Sequence, residues 1–418
     1  MNNMKEYKYI IIGSGPSGIS AIEGIRMNDK KSKILVISKE EFGYSRPLIT
    51  YYFSGKIDRE DIFYRNKNYF TENNAQQIKG TVQNVDAKKK TVELEDNRKF
   101  KFIKLLIASG GNPFIPPIKG SDKKGVIKFN SIQDAEKIIS GDYKKSAVVL
   151  GAGMIGMKTA EAFKNRGWEV HLLELKDRLM PQVLDEQASD ILKEVIKQNR
   201  INIHLSNTID EIKGEEAVEK VKLKTSEEIE AGVVVMAIGV RPNFDFLPDA
   251  GQKAVEVDSN MKTKYKDIYA AGDVVESTDI IDSQRKTIAI WPLAYRQGRV
   301  AGINMSGGNS VYTGGWLMNS ISLFNFPIIT MGNSISEKGE FLTDIDKLNR
   351  TYKKIILKEN KVIGAILMGN IDRAGIYNGI MENKVDVSSF KQELLDEDFS
   401  LISVPKKYKY REISPLEI

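Results

Sequence analysis

The amino-acid sequence predicts an α/β protein with two Rossmann-like dinucleotide-binding domains and a small α+β domain at the C-terminal end. Three observations predict this fold class. A short apolar strand runs into a GxGxxG turn and a helical pattern near the N-terminus, and the same succession begins again at residue 147. From residue 316 onward the composition changes to a strand hairpin followed by short amphipathic segments.

The first glycine-rich turn follows residues 10–12, three isoleucines typical of a buried parallel strand. Gly13 permits the tight turn, Gly15 lets the backbone approach a pyrophosphate, and Gly18 lets the helix pack against the strand. The helix N-terminus then presents N–H groups and a partial positive charge to the phosphates. The candidate dinucleotide contacts in this turn are Gly13, Gly15, Pro16, Ser17 and Gly18.

An acidic side chain is expected where the second strand ends, because it can hydrogen-bond the adenosine ribose of a dinucleotide. Residues 33–37 form that predicted strand, and Glu40 is the acid that we select after it. Residues 81–94 then alternate in polarity and predict a β-meander. The first half of the chain closes with a strand over residues 105–111, which runs into a proline-rich loop that is a candidate linker.

The second glycine-rich turn, GAGMIG, follows an apolar run at residues 147–150 and precedes a helical pattern. Glu174 ends the next predicted strand, about 20 residues further on, the distance expected of a ribose-binding acid. Two such units in one chain predict dinucleotide binding far more specifically than one. The candidate contacts of the second unit are Gly151, Gly153, Met154, Ile155, Gly156 and Glu174.

Two later strands repeat the ending in small residues, at residues 231–239 and at residues 267–273, where the last residue is an acid. A helix is predicted from Trp291, with small residues such as Gly298 that permit close approach to a neighbour. A hairpin over residues 355–367 and amphipathic segments at 374–381 and 390–395 complete the chain. Further candidate contacts are Val82, Ala108, Ser109, Gly110, Gly239, Gly272, Asp273, Trp291 and Ala294.

The composition excludes several kinds of chemistry. With no cysteine and two histidines, the chain contains no disulfide, thiolate nucleophile or cysteine-bound metal cluster, and we expect no metal site. A net charge of +6 with scattered lysines predicts neither nucleic-acid nor membrane binding. No apolar run reaches the roughly 18 residues of a membrane span, and the polar N-terminus predicts no secretory signal. We therefore expect a cytoplasmic protein.

Taken together, the motifs resemble those of the FAD-dependent pyridine nucleotide oxidoreductases with two dinucleotide folds, in particular the NADH:rubredoxin oxidoreductase and nitrite-reductase-like branch. The resemblance covers essentially the whole chain. It implies an FAD-binding domain at residues 1–114 and 240–315, an NAD(H)-binding domain at residues 115–239, and an interface domain at residues 316–418. The first glycine-rich turn would hold the FAD pyrophosphate, and the second would hold NAD(P)H.

Other roles follow from the same resemblance. YSRPL would lie along the flavin, with Arg46 near an FAD phosphate or ribose and Pro47 near the ring. Asp273 would bind the ribityl chain, unless it forms an Asx-type turn. WPLA would offer the Ala294 N–H to the flavin pyrimidine edge, where a helix N-terminus stabilises the negative charge of the reduced ring. Trp291 would belong to this site or simply to the core.

Departures from the relatives limit the function. The disulfide reductases of this group need a cysteine pair that the chain lacks, so lipoamide, glutathione and thioredoxin reductase activities are excluded, as are cysteine-dependent oxidase and peroxidase activities. The ferredoxin-reductase branch pairs a lysine near the flavin with a glutamate after the second turn. Here Tyr51 occupies the lysine position and Lys158 occupies the glutamate position.

The sequence thus predicts an enzyme in which NADH reduces FAD and the electrons pass to a small acidic protein such as rubredoxin. The alternatives are an NADH oxidase or diaphorase, a ferredoxin-type reductase, and a nucleotide-responsive regulatory protein. We expect a monomer or homodimer. Candidate catalytic residues are Pro47, Thr50 and Lys158; Lys158 would lie on the first turn of its helix and stabilise the reduced flavin, unless it reaches into solvent.

Overall fold

The computed structural model describes residues 4–40, 43–248 and 253–405, whose contacts divide the chain into two compact units. The first unit comprises Met1–Phe114, Phe129–Gly141 and Gly239–Gly315. The second unit comprises Ile115–Lys128, Asp142–Ile238 and Trp316–Ile418. The second unit thus contains both the second glycine-rich turn and the C-terminal segment. The division into three domains stays a prediction.

The strands are mostly short. In chain order they are Glu6–Ile12 (β1), Ile34–Ser38 (β2), Ala75–Lys79 (β3), Val82–Asp86 (β4), Thr91–Leu94 (β5), Lys99–Ile107 (β6), Gly111–Pro113 (β7), Val126–Ile127 (β8), Ser146–Leu150 (β9), Glu169–Leu173 (β10), Asn202–His204 (β11), Ile209–Lys213 (β12), Lys220–Leu223 (β13), Glu228–Glu230 (β14), Val233–Met236 (β15), Val240–Pro242 (β16), Val255–Glu256 (β17), Ile268–Ala270 (β18), Val275–Thr278 (β19), Arg285–Lys286 (β20), Met318–Leu323 (β21), Phe326–Gly332 (β22), Glu340–Asp346 (β23), Thr351–Lys358 (β24) and Lys361–Met368 (β25).

The longest helices follow the glycine-rich turns or lie against them. The α-helices are Pro16–Asn28 (α1), Ile49–Ser54 (α2), Tyr69–Glu72 (α3), Ile132–Ser140 (α4), Met154–Asn165 (α5), Glu186–Gln198 (α6), Trp291–Met305 (α7) and Ala374–Glu382 (α8). Short 3₁₀ helices span Arg46–Leu48, Arg59–Ile62 and Gln392–Leu395. Among the residues that the structure describes, no helix is long and apolar enough to cross a lipid bilayer.

The main sheet of the first unit has β1 near its centre, between β2 and β6 and parallel to both. Ile10 of β1 pairs with Leu35 and with Leu105, and all three side chains are buried. Strands β4, β5 and β6 are antiparallel neighbours, which confirms the predicted meander. The central strands are continuous apolar runs because a parallel strand at the centre of a sheet is buried on both faces.

Helices α1 and α7 pack at very short distance, because small residues line their contact. A Cβ atom added at Gly298 would lie 2.1 Å from the Ser17 carbonyl oxygen, and one at Gly302 would lie 2.1 Å from that of Ala21. A Cβ on Gly24 would in turn lie 2.4 Å from the Arg299 carbonyl oxygen. This confirms the expected close approach, which places α1 against the middle of α7.

The second unit contains a parallel sheet in the order β11-β10-β9-β15-β8 and a small antiparallel sheet of β12, β13 and β14. Leu172 of β10 pairs with Val149 on one side and Ile203 on the other. Helix α5 follows β9 as α1 follows β1. The predicted succession of strand, glycine-rich turn and helix is therefore confirmed twice.

The C-terminal segment forms a five-stranded antiparallel sheet in the order β21-β22-β25-β24-β23, which we call the C-terminal sheet. The predicted hairpin is its β24–β25 pair, and its turn residues Glu359 and Asn360 both have positive φ, at 51° and 56°. That geometry suits the twist of adjacent antiparallel strands. Helix α8 and the Gln392–Leu395 turn follow, as predicted.

Candidate functional site

The first glycine-rich turn contains two glycines that the fold itself requires. Gly13 has a φ of +107°, and a Cβ there would lie 2.1 Å from the Ala108 carbonyl oxygen. A Cβ on Gly18 would lie 2.1 Å from the Gly13 carbonyl oxygen. No side chain fits at either position, because strand end, turn and helix are already in contact. These two residues shape the turn.

Gly15 is different, because nothing in the chain explains the missing side chain. Its φ is −73°, which any residue adopts, and a Cβ would meet nothing within 4 Å. Gly15 directly precedes α1, whose first N–H groups have no intrahelical acceptor. A bound pyrophosphate would need both the open space and these N–H groups. The residues present therefore fit a dinucleotide.

The second turn repeats this division of roles. A Cβ on Gly151, whose φ is +103°, would lie 2.5 Å from the Ala237 carbonyl oxygen, and one on Gly156 would lie 1.8 Å from that of Gly151. A Cβ on Gly153 would meet only the Gln182 side-chain oxygen, at 3.7 Å. Met154 and Ile155 form the first turn of α5. The second turn therefore also leaves room for a phosphate.

The two candidate ribose acids lie just beyond the ends of β2 and β10, at the edge where parallel strands bind ligands. The Glu40 carboxylate is 3.1 Å from an Arg46 guanidinium nitrogen. Glu174 is only 8% exposed and accepts hydrogen bonds from the N–H groups of Ala152, at 2.8 Å, and Lys176, at 3.0 Å. The Ala152 bond ties Glu174 to the glycine-rich turn, and each carboxylate oxygen retains a second lone pair for a ribose hydroxyl.

Asp273 lies beside α7 in the first unit. The preceding Gly272 has a φ of +87° and donates its N–H to the Gln297 side chain at 2.8 Å. Burial raises the pKa of the Asp273 carboxyl group, and the Arg46 charge partly opposes that rise. The Asp273 carboxylate accepts no hydrogen bond from the part of the chain that the structure describes, so the Asx-type turn is not formed. Such a carboxylate suits a ligand hydroxyl.

The YSRPL segment forms a short 3₁₀ helix from Arg46, with Pro47 in its first turn. Arg46 also donates to the Asn130 carbonyl oxygen at 2.6 Å, which holds its guanidinium group between that carbonyl and Glu40. The Thr50 hydroxyl donates to the Pro47 carbonyl oxygen at 3.3 Å. The structure thus brings Arg46, Pro47 and Thr50 together with Glu40 in the first unit.

Four further candidates lie around the ends of β6 and β15. Ala108 is buried directly after β6, and the Ser109 hydroxyl donates to the Asn243 carbonyl oxygen at 2.5 Å. Gly110 and Gly239 have φ values of +66° and +117°, and a Cβ on either would meet nothing within 4 Å. Val82, the first residue of β4, is buried in the hydrophobic core of the first unit.

The start of α7 bears on the flavin contact that the resemblance implies. The Ala294 N–H, assigned to the flavin by the resemblance, donates to the Ile290 carbonyl oxygen at 3.1 Å. Ala294 is the fourth helical residue, where intrahelical bonding begins, so the groups left for a ligand are the earlier N–H groups of Trp291 and Leu293. The contact between this helix end and the flavin stays a prediction.

Trp291 lies in a cluster of aromatic rings. It stacks on Tyr295 with ring centroids 5.3 Å apart, and its ring meets that of Tyr64 edge-on at 5.5 Å. The Trp291 indole nitrogen and the Tyr64 hydroxyl are buried with no hydrogen-bond partner in the described chain. Packing against Tyr64 and Tyr295 therefore accounts for the Trp291 ring but leaves two donors for a ligand or water.

Lys158 also lies elsewhere than predicted. Because α5 begins at Met154, Lys158 is on the second turn and not the first. Its side chain does not reach into solvent, since it is only 16% exposed, pairs with Glu161 and donates to the Ser322 carbonyl oxygen at 3.0 Å. Sequence analysis missed Glu161, although an acid three residues after a lysine is the helical spacing of an ion pair.

The two histidines of the chain contact each other, which sequence analysis did not predict. His171 Nδ1 lies 3.1 Å from His204 Nε2, across neighbouring strands β10 and β11. The outer ring nitrogens face carboxylates, Glu169 at 3.4 Å and Glu227 at 3.7 Å. The His204 carbonyl oxygen accepts the Glu174 N–H at 2.9 Å, so the pair lies in the strands that position the candidate ribose acid.

Comparison with known proteins finds two matching sequence profiles. The sequence profile of the pyridine nucleotide-disulphide oxidoreductases matches residues 7–298, and that of the rubredoxin NAD⁺ reductase C-terminal domain matches residues 318–385. The solved NADH:rubredoxin oxidoreductase from Clostridium acetobutylicum, 24% identical, superposes with a TM-score of 0.77 over 92% of this chain and 97% of that one. The predicted fold class is confirmed.

Two curated relatives reach higher identity. The nitrite reductase [NAD(P)H] of Bacillus subtilis (strain 168) is 30% identical over 404 residues, which make up 92% of this chain and 48% of that protein. The NADH oxidase of Methanocaldococcus jannaschii is 36% identical over 313 residues, 71% of this chain and 70% of that protein. The chain thus spans about half the length of the nitrite reductase that it matches.

Replacing Gly15 should separate ligand binding from folding. In Gly15→Val we expect retained FAD per chain, measured by absorbance after gel filtration, to fall at least about tenfold, or ~1.4 kcal/mol. The thermal unfolding of the cofactor-free protein should stay unchanged, because the added side chain enters open space. Gly153→Val is the matched control and should keep its FAD. Full FAD retention by Gly15→Val would contradict the assignment.

The histidine pair should make the second unit less stable in acid. Burial is the largest cause lowering the pKa of His171, so the folded state takes up a proton less readily than the unfolded state. Stability is therefore lost as the pH falls below the ordinary histidine value of about 6.5. Calorimetry from pH 7.5 to 5.5 should show a smaller loss in His171→Gln than in the wild type. Equal losses would show that this contact does not titrate.

Proposed function

Because the chain belongs to the pyridine nucleotide-disulphide oxidoreductase family, we propose that it oxidises NADH and passes the electrons through FAD to a small protein of the rubredoxin type. The family match supports an oxidoreductase that uses FAD and NAD(P)H. The choice of NADH, the protein acceptor and the residue roles are the proposal. The observation that carries it is the pair of glycine-rich turns, each with an open position for a phosphate.

The absence of cysteine determines where the electrons go. Enzymes of this group that reduce disulfides keep a reactive cysteine pair beside the flavin, whereas this sequence has no cysteine at all. Electrons therefore cannot leave through a dithiol of this chain. The bound flavin must deliver them directly to an external acceptor. One NADH supplies two electrons, so it reduces two one-electron acceptors and releases NAD⁺ and one proton.

The first unit is assigned to FAD. Gly15 and the N-terminus of α1 would hold its pyrophosphate, Glu40 its adenosine ribose, and Asp273 its ribityl hydroxyls. Arg46 would sit near a phosphate or ribose, since it already lies beside Glu40. The other candidate contacts of this unit, Pro16, Ser17, Val82, Ala108, Ser109 and Gly110, are assigned to the same cofactor.

The second unit is assigned to NADH. Gly153 and the first N–H groups of α5 would hold the pyrophosphate, and Glu174 would accept from the 2′-hydroxyl of the adenosine ribose. Gly239, which begins the last stretch of the first unit, has a positive φ and open space beside its Cα, and it stays a candidate contact. The protein thereby orients the donor, and hydride transfer needs orientation more than it needs an acid or base.

FAD, when bound, would supply the redox chemistry that links NADH to a one-electron acceptor. The chain contributes electrostatic support through α7, whose Trp291 and Leu293 N–H groups precede the first intrahelical bond. A helix N-terminus stabilises negative charge of the kind that a reduced flavin carries. Pro47 and Thr50 remain candidate contacts along the flavin ring. The charge of Lys158 is compensated by Glu161, so we assign Lys158 a role in positioning helix α5 instead.

The acceptor is proposed from two supports. Residues 318–385 match the C-terminal domain of rubredoxin NAD⁺ reductases, and the net charge of +6 favours an acidic partner. A second candidate is transfer to oxygen, which is favoured by the 36% identity to a protein named NADH oxidase. The nitrite reductase is about twice as long as the segment that this chain matches, so its activity is not proposed for this chain.

Steady-state assays can separate the two acceptors. We expect rubredoxin reduction to exceed oxygen consumption at least about tenfold in kcat/KM, and to fall several-fold between 20 mM and 500 mM salt, because salt screens exposed charges. Oxygen consumption should not change with salt. Oxygen consumption as fast as rubredoxin reduction would favour the oxidase. A rubredoxin reduction rate that does not change with salt would contradict attraction between opposite charges, but not the choice of rubredoxin as the acceptor.

The coenzyme preference should depend on Glu174. A 2′-phosphate would meet this buried carboxylate, and the clash or lost hydrogen bond is worth roughly 1–3 kcal/mol, about 5–150-fold in kcat/KM. We expect NADH to be preferred over NADPH by a factor in this range. Glu174→Ala should narrow the difference, while Glu169→Ala, an exposed acid on the same strand, should not. Equal use of both coenzymes by the wild type would contradict the role of Glu174.

A further inference from the structure

The C-terminal segment makes three polar contacts with helix α5 and with the loop that joins β10 to α6. All three contacts lie inside the second unit. They involve helix α5, the loop between β10 and α6, and the first residue before α6. Each is made by a buried or largely buried polar group, so each fixes a position more strongly than an exposed contact would.

The first contact joins α5 to the tip of the β21–β22 hairpin. Glu161, only 3% exposed, accepts the Phe324 N–H at 2.8 Å. Lys158 pairs with Glu161 and donates to the Ser322 carbonyl oxygen at 3.0 Å. Within the ion pair, Glu161 therefore accepts from a hairpin N–H group and Lys158 donates to a hairpin carbonyl oxygen. This explains why a lysine and a glutamate are buried together on a nucleotide-binding helix.

The second contact holds the loop that covers Gly153. Ser334, 3% exposed, donates its hydroxyl to the Val183 carbonyl oxygen at 2.8 Å. One end of the same loop is bonded to the glycine-rich turn, because the Met180 N–H donates to the Ala152 carbonyl oxygen at 2.9 Å. Among the described residues, only the loop residue Gln182 comes within 4 Å of a Cβ added at Gly153. The sheet thus reaches the nucleotide position through this loop.

The third contact is at Asp185, the residue that caps α6. One carboxylate oxygen accepts the Ala188 N–H at 3.0 Å. The other accepts from the Tyr352 hydroxyl at 2.8 Å and from the Lys354 ammonium group at 2.7 Å. Burial, followed by the hydrogen bond to Asp185, raises the pKa of Tyr352. The Tyr352 hydroxyl therefore remains a donor at every working pH.

We propose that the C-terminal sheet positions the pyridine nucleotide site, with Tyr352, Ser334 and the Lys158–Glu161 pair acting as positioning residues. They hold the loop over residues 175–185 and the helix α5 in the arrangement that binds the nucleotide. This inference rests on the proposed assignment of the second glycine-rich turn to NADH. Because linkage is reciprocal, bound nucleotide stabilises the attachment of the sheet by the same factor by which the attachment strengthens binding.

Two tyrosines of the C-terminal sheet region allow a matched test. Tyr352 and Tyr377 are both buried, and each donates one strong hydrogen bond, but Tyr377 donates to the Leu394 carbonyl oxygen at 2.6 Å, within the C-terminal segment. Tyr352→Phe and Tyr377→Phe remove the same atom. Only the first cuts a link to the nucleotide-binding elements. Ser334→Ala cuts a second such link and serves where Tyr352→Phe does not fold.

The affinity of the FAD-loaded full-length protein for NAD⁺ is measured by calorimetry, with NADH-dependent ferricyanide reduction in parallel. We expect Tyr352→Phe and Ser334→Ala each to weaken NAD⁺ binding at least about fivefold, the low end of ordinary coupling between sites. The KM for NADH should rise while kcat is unchanged, since the reacting groups are not altered. Tyr377→Phe should stay within about twofold of the wild type.

Hydrogen exchange, which needs no turnover, tests whether bound NAD⁺ stabilises the attachment of the C-terminal sheet. Saturating NAD⁺ should slow hydrogen exchange of the Phe324 amide at least about fivefold in the wild type, and less in Tyr352→Phe. Unchanged NAD⁺ affinity in both Tyr352→Phe and Ser334→Ala would overturn the inference, as would equal weakening by Tyr377→Phe.

Gly153→Val, measured alongside, separates this failure from that of the proposed function. If Gly153→Val loses NAD⁺ binding while Tyr352→Phe and Ser334→Ala keep it, the second glycine-rich turn binds the nucleotide but the C-terminal sheet does not position it. If Gly153→Val binds NAD⁺ like the wild type, the assignment of the turn is wrong, and the inference falls with it.

Discussion

Backbone contact at the start of each nucleotide-binding helix is the constraint on which both candidate sites depend. In each glycine-rich turn the first and last glycine lie where an added Cβ would overlap a carbonyl oxygen. The strand end, the turn and the helix can therefore be in direct contact, and the helix N-terminus is brought to the edge of the sheet. The middle glycine, Gly15 or Gly153, then faces open space beside N–H groups that have no partner inside the helix.

Charge is distributed around these turns in a consistent way. Glu40 lies against Arg46, Glu174 is bonded to two N–H groups, and Lys158 is paired with Glu161. Asp273 differs, because burial raises the pKa of its carboxyl group and no described residue donates to it. A carboxylate that is partly shielded from water and has no donor is costly unless something else supplies one, and a ligand hydroxyl would do so.

A chain without cysteine or a clustered set of metal ligands in its described residues performs redox chemistry only through what it binds. Its own contribution would then be position: two glycine-rich turns with open space for a phosphate, the N-terminus of α7, and a C-terminal sheet that contacts helix α5 and the loop before α6. Position also explains why few side chains carry the function. Loss of a glycine or of a buried hydrogen bond would matter more than loss of any acid or base.

The sequence by itself determined the elements whose signals are local. The apolar runs, the glycine spacings, the alternating meander and the hairpin turn at Glu359 and Asn360 each depend on residues close together in the chain, and the structure confirms them. The predicted start of a helix at Trp291 is confirmed as well. A motif does not give the exact helix boundary, and a shift of one residue changes which N–H is already bonded inside the helix, as at Ala294.

The tertiary structure alone decided which distant groups meet. The contact between His171 and His204 depends on the pairing of two strands, and the links from Tyr352 to Asp185 and from Ser334 to Val183 depend on how a whole sheet packs. Lys158 shows the difference most clearly, because its sequence position suggested a charge near the flavin, whereas its neighbours are Glu161 and the Ser322 carbonyl. Periodicity predicts which face of an element is buried, but the partner of a buried polar group is set by the packing of segments far apart in the chain.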